Sequence, residues 1–210
     1  VISLPLTRPR SFFIAAAACI LGGALPLSAQ VNTEFQITKI EPNLPLTPAI
    51  SFNGTQKAGS TPKKWLEIEV SFLWKPRVAT EKFTDELTFN YYVLLANRSV
   101  TLPQGSLLTG QVTHVAIPAN QNDLKSVMYV SPGALERFFD SKIPSSSASA
   151  VIDIGITITR QGQVVASKSF KGSGEWWTQF QQTPGFLLNK NETPFAPLYW
   201  DYYQAVKKTP

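Results

Sequence analysis

Hydrophobic and polar side chains alternate along much of the chain. In the stretch Trp65–Trp74, Leu66, Ile68, Val70, Phe72 and Trp74 fall on one side, and Glu67, Glu69 and Ser71 on the other. Successive side chains of a strand point to opposite faces, so a period of two marks a strand between core and solvent. This assignment puts Glu67 and Glu69 in water. Residues Ala150–Thr159 repeat the pattern, with Ile152, Ile154, Ile156 and Ile158 inward. Gln161-Gly162 then separates this strand from Val164–Phe170, a hairpin signal, because glycine reaches the positive φ of tight hairpin turns. Thr33–Glu41, Glu86–Ala96, Ser106–Ile117 and Lys125–Val130 are further candidate strands, with Gly110 as a candidate bulge. Pro42, Pro62, Pro76, Pro103, Pro118 and Pro132 punctuate them. One short helix is expected near 132–139, with Ser131 as N-cap and Pro132 in the first helical position. Ser145–Ser149 reads as a flexible connection. The pattern predicts an all-β, immunoglobulin-like antiparallel sandwich of about seven strands. Val164–Phe170 is a candidate edge strand, guarded against pairing by Lys168 and Lys171.

The first residues follow another pattern. Arg8 and Arg10, the only charges before Glu34, precede an apolar run from Phe12 to Leu25. Pro26 breaks the run, and Leu27-Ser28-Ala29 provides a small-residue exit. A basic start, apolar middle and small-residue exit predict a secretory signal peptide. Gly22 and Gly23 interrupt a run already short for a membrane helix, which needs about 20 apolar residues. An uncleaved anchor is the competing reading. Ala16-Ala17-Ala18-Cys19 loosely resembles a lipobox, although the residues after Cys19 stay apolar where a lipoprotein carries a polar tether. The expected organisation is a signal peptide over 1–29, a sandwich over 30–172 and an aromatic C-terminal segment over 173–210 packed on it. Export would end in the periplasm, the outer membrane or the cell surface, with no stable transmembrane span after cleavage.

Composition narrows the chemistry. The chain is 43% hydrophobic and 16% charged, which suits a packed core rather than a disordered tail. It has one Cys, one His and one Met. A zinc cluster, an iron–sulfur site, a disulfide framework and a Cys/His catalytic pair lack their residues, and no cofactor is expected. Loss of residues 1–29 would remove two basic residues and no acid, leaving 17 Lys and Arg against 14 Asp and Glu, a net +3. Basic residues then cluster only as Lys63-Lys64 and Lys207-Lys208. Nucleic acid needs a dense basic stripe, so it is not an expected partner.

The C-terminal segment is the unusual feature. It holds Trp176, Trp177 and Trp200 of the five tryptophans, and Tyr199, Tyr202 and Tyr203 of the six tyrosines. These six residues are the candidate interaction residues. Pro194 and Pro197 keep the chain extended, and Leu198–Val206 is a candidate short helix. Buried, the rings would pin the tail to the sandwich. Exposed, they would anchor a protein partner or stack on a sugar. His114 lies in an apparent strand with no metal set around it, and reads as a sheet-surface or satisfied core residue. Glu67, Glu69, Asp153, Glu175 and Asp201 are the acids available for paired-carboxylate chemistry, and nothing in sequence pairs them. No Gly-rich phosphate loop, G-x-S-x-G elbow or H-E-x-x-H helix occurs. Asn53, Asn97 and Asn191 begin N-x-S/T triplets, which matter only on a secretory route with the right transferase.

Val31 to Pro42, Glu175-Trp176-Trp177 and Glu192 to Asp201 resemble the verrucomicrobial pilus-like proteins, encoded beside type IV pilus genes in mucin-degrading gut bacteria. The resemblance spans the exported chain and implies an immunoglobulin-like sandwich outside the inner membrane, with a role in pilus assembly or adhesion. It brings no catalytic residues. The chain departs from true pilins, lacking a Gly-Phe prepilin site followed by a long apolar helix. An accessory or assembly role is therefore expected, with other pilus or envelope proteins, or a second copy of the chain, as partners. The alternative is a carbohydrate-binding module for host or dietary glycans. In either case the chain is expected not to be an enzyme.

Overall fold

Alternation along the sequence becomes the inside and outside of two facing sheets. The computed structural model describes residues 34–49, 61–97 and 106–208. The chain divides into residues 1–31 and 32–210, and every described residue belongs to the second unit. The expected signal peptide, Cys19, Thr33 and Asn53 lie outside the described residues.

The strands are β1 (Phe35–Asn43), β2 (Leu66–Trp74), β3 (Phe83–Leu95), β4 (Leu107–Pro118), β5 (Leu124–Val130), β6 (Val151–Arg160), β7 (Gln163–Ser169), β8 (Gln182–Pro184) and β9 (Leu187–Asn189). The sheets run β1-β2-β5-β9 and β7-β6-β3-β4-β8. Within the first seven strands, β1-β2-β5 faces β7-β6-β3-β4, an immunoglobulin-like order with the fourth strand in the second sheet. Helix α1 (Pro132–Phe138) begins at Ser131, whose hydroxyl accepts from the Ala134 amide. Gln161 and Gly162 both take positive φ, 51° and 80°, in the turn between β6 and β7.

The all-β sandwich is as expected, and several of its details differ from expectation. The sandwich gains β8 and β9 from the C-terminal segment, and β8 pairs with β4 in parallel, so the sheets are not wholly antiparallel. Ser147–Ala150 forms a helical turn, α2, rather than a loose connection. Leu198–Val206 is a run of turns ending in a bridge from Val206 to His114, not a helix. Gly110 is no bulge: it pairs with Tyr91 in an unbroken register, and its missing Cβ admits Leu187 and Met128. The irregularities fall elsewhere. Leu94 and Leu95 pair with Asp153 and Val151, leaving Ile152 as the extra residue of a bulge, so Ile152 turns outward and is exposed.

Phe72 and Phe89 meet across the core at 4.8 Å, and Trp74 stacks on Phe35 at 6.1 Å. Lys168 is not an edge guard. Thr38 has no partner on β2, and Lys168 Nζ donates to the Ile37 and Thr38 carbonyls at 3.1 and 2.6 Å. It ties β7 to the bulged β1 of the other sheet. Lys171 Nζ similarly donates to the Val151 carbonyl beside the Ile152 bulge, at 3.0 Å. Both ammonium groups thus bond main-chain oxygens at the bulges.

Candidate functional site: the C-terminal aromatic layer

The C-terminal segment wraps the sandwich. It starts on the outer face of the second sheet, where Trp177 is buried and stacks on Tyr92 at 4.9 Å. Trp176, half-buried, meets Trp177 edge-on and donates its indole N–H to Ser169 Oγ. The chain then adds β8 to the free edge of β4 and β9 to that of β5. At the next turn, Asn189 and Glu192 close a capping box. Phe195 follows on the outer face of the first sheet, stacked on Tyr129 at 4.7 Å and edge-on to Trp65 at 5.7 Å. Finally the tail returns to β4, where the Val115 amide donates to the Ala205 carbonyl and the Lys207 amide to the Thr113 carbonyl. Large aromatic areas are buried at each station, and ring geometry is offset-stacked or edge-to-face, as ring quadrupoles favour.

This third layer overturns the placement of Glu67 and Glu69 in solvent. Glu69 is 9% exposed and Lys125 6% exposed. Lys125 Nζ donates to Glu69 Oε1 at 2.9 Å and Ser71 Oγ at 3.0 Å. Tyr202 and Tyr203 donate to the same carboxylate at 3.3 and 2.8 Å. Tyr129 donates to Glu67 at 3.0 Å. Burial works against the Lys125 ammonium, but its bonds to Glu69 and Tyr202 and the Glu69 charge prevail and raise its pKa. For Glu67, burial dominates and raises the carboxyl. Glu69 binds the tail and Glu67 binds the neighbouring strands, through Tyr129 and Asn43. Asp153 is likewise structural, accepting from the Ile154, Lys171 and Gly172 amides.

His114 is 1% exposed and fully partnered. Its Nδ1 lies 3.0 Å from the Gln204 carbonyl and its Nε2 2.7 Å from Ser126 Oγ. A carbonyl only accepts, so Nδ1 carries the proton and Nε2 accepts from Ser126. Tyr91 in turn donates to Ser126 at 2.7 Å. Desolvation pushes the imidazole down to about 4, against the upward pull of the Gln204 and Ala205 backbone bonds. The side chain is a neutral, satisfied core histidine that fastens the tail.

The six candidate aromatics therefore separate. Trp176 and Trp177 pack on the second sheet. Tyr203 is half-buried on the first, with Tyr202 edge-on at 4.9 Å and Tyr199 6.2 Å from Tyr202. Tyr199, Trp200 and Tyr202 are 62%, 78% and 47% exposed. Tyr199 holds a φ of 55°, uncommon for a bulky residue, and the Trp200 indole N–H is tied to the Pro197 carbonyl at 2.8 Å. Beside Trp200 lies a cavity of about 490 Å³, whose wall includes Lys190, Asn191, Asp201, Tyr203 and Gln204. Sequence reasoning passed over Lys190 and Gln204, because single polar residues in a loop carry no periodic or motif signal. Of the glycosylation triplets, Asn97 is buried and accepts from the Ser106 amide, whereas Asn191 is exposed.

A protein-family model matches residues 26–210. The chain belongs to that family. Among solved structures, a crystal structure of a protein from Akkermansia muciniphila, a verrucomicrobe, has the same fold, with a TM-score of 0.73 and 23% identity. The match covers 84% of this chain and 94% of that one. No curated protein matches the sequence. No helix among the described residues is long and apolar enough to cross a membrane.

Proposed function

We propose that the chain is an exported, non-enzymatic component of a pilus or other surface-attachment system, acting through protein–protein contacts with pilus or envelope proteins. The observation that carries this reading is the exposed trio Tyr199, Trp200 and Tyr202 on a segment otherwise anchored by buried rings. Tyr and Trp bury large areas on association at low entropic cost, which makes them favoured anchors. Main-chain bonds from the Leu198 amide to the Phe195 carbonyl and from the Tyr202 amide to the Tyr199 carbonyl close the turns that present them. Among the described residues, the Ser–His contact is that of Ser126 with His114, and both side chains are buried, at 0% and 1% exposure. The pilus assignment draws on the likeness of residues 31–42, 175–177 and 192–201 to the verrucomicrobial pilus-like proteins. A clean deletion in the native host is expected to lose piliation or adhesion, restored by the intact gene but not by the Tyr199→Ala/Trp200→Ala variant. Normal piliation and adhesion in the deletion strain would sink the proposal.

Carbohydrate binding is the second reading. Trp177 is too buried to serve as a sugar platform, but Trp200 is exposed beside a cavity with polar walls, and its ring is held in place. Sugar binding by the chain, lost on Trp200→Ala, is the outcome this reading expects; a glycan array without binding removes it.

A further inference from the structure

The cavity beside Trp200, at about 490 Å³, has the size of a small-molecule site. One wall residue is in an unusual state. Lys190 is 8% exposed. Its Nζ donates to the Ala196 carbonyl at 3.0 Å and lies 5.8 Å from the centre of the Tyr203 ring. Among the described residues no carboxylate comes within ion-pair distance of it. Lys125, buried to a similar degree, meets Glu69 at 2.9 Å and Asp123 at 3.2 Å. An ammonium has three donors and no acceptor, and a buried charge is ordinarily paired because desolvation penalises it alone. Burial accordingly lowers the Lys190 pKa. A side chain lining the cavity is thus short of an anion.

The rest of the wall specifies what kind. Asn191, Gln121 and Gln204 offer amides that both donate and accept, and Asp201 offers an acceptor for hydroxyls. Trp200 adds an apolar plane fixed by its bond to the Pro197 carbonyl. Amides and a carboxylate match hydroxyl groups, an exposed indole matches the C–H face of a pyranose, and the lone cation matches one negative charge. Asp201 in the same wall disfavours a polyanion.

We propose that this cavity binds an acidic sugar, its carboxylate on Lys190, its hydroxyls on Asn191, Gln204 and Asp201, and its ring face on Trp200. The inference rests on the carbohydrate reading and adds the ligand's charge.

Calorimetric titration of the full chain with the methyl glycosides of glucuronic acid, galacturonic acid and N-acetylneuraminic acid, and with those of glucose and galactose, tests it. At least one acid is expected to bind ten times or more as tightly as the neutral sugars. Its carboxyl methyl ester should lose that advantage, a comparison that leaves the protein unaltered. Lys190→Met should abolish the preference for the acid, and Trp200→Ala, an exposed substitution, should weaken binding of any sugar. Equal binding of acid and ester, or a preference that survives Lys190→Met in a folded variant, overturns the role of Lys190 while carbohydrate binding stands. Failure of every sugar to bind overturns both.

Discussion

The indole of Trp177 occupies the space over Gly155 in which any other residue would carry its Cβ. Gly155 does not serve a turn here. It pairs in the middle of β6, with Tyr92 on one side and Ser169 on the other, and its use is the room it leaves. Gly155→Ala is expected to dislodge Trp177 and cost about 1–3 kcal/mol, the usual range for overpacking. Thermal unfolding and tryptophan emission would register both effects. In a Trp177→Ala background the same substitution should cost much less, since the clash is gone.

Phe195 is the matching anchor on the opposite face. It lies between Tyr129 and Trp65 and is 4% exposed. Phe195→Ala should destabilise the chain by about 3–5 kcal/mol, the range for large-to-small changes at buried aromatics. The loss should be local first. Proteolysis under native conditions is expected to cut within residues 190–208 of the variant well before the sandwich, and equal resistance of the two proteins would contradict the anchoring role.

Glu69 and Lys125 join strands β2 and β5 to the tail, through Tyr202 and Tyr203. Removing one partner of a buried pair leaves the other charge uncompensated, so Lys125→Met is expected to cost about 3–5 kcal/mol. In a Glu69→Gln background the same change should be considerably milder. A double-mutant cycle by denaturant unfolding measures the coupling; additive costs would mean that the two groups act independently.

Much of the sandwich is legible because its signal is local. The alternation of Leu66, Ile68, Val70, Phe72 and Trp74 selects the core face of β2 without reference to any other strand, and all five are fully buried. Ser131-Pro132 marks the start of α1 by capping chemistry alone. What failed depends on distant partners. Glu67 and Glu69 have the alternation of a solvent face, yet Phe195, Tyr202 and Tyr203 arrive more than 120 residues later to cover it. The bulge at Ile152 is invisible in a run of alternating isoleucines, because it is set by the register against β3. Strands β8 and β9, three residues each, are too short for periodicity and form because the edges of β4 and β5 need partners. In the candidate site, the aromatic richness was plain, but which rings are anchors and which are exposed follows from the wrapping path. Lys190 becomes conspicuous only once its lack of a carboxylate is seen.

His114 gives the tail a pH dependence with a definite sign. Its folded pKa, about 4, lies below the ordinary value of 6.5. Above pH 6.5 the imidazole is neutral in both states, and the fold keeps the full stability of the Ser126 and Gln204 contacts. Between about pH 6.5 and 4 the unfolded chain takes up a proton that the folded chain refuses, so stability falls as pH falls. Below about pH 4 both states carry the proton and this contribution stops changing. The depression corresponds to roughly 3 kcal/mol over the window. Protonation would also place a second N–H donor at Nε2, where Ser126 now donates, so the contact it disturbs is the one to Ser126. His114→Gln removes the titrating group while keeping a polar side chain in contact with Ser126. Denaturant midpoints at pH 7.5 and pH 4.5 should fall further for the natural chain than for this variant, the shared titration of the carboxylates cancelling in the comparison. The protection factors of the Val115 and Lys207 amides, whose N–H groups bond between β4 and the tail, should fall in the same pH range further in the natural chain than in the variant. Identical falls in the two proteins would show that the proton goes elsewhere.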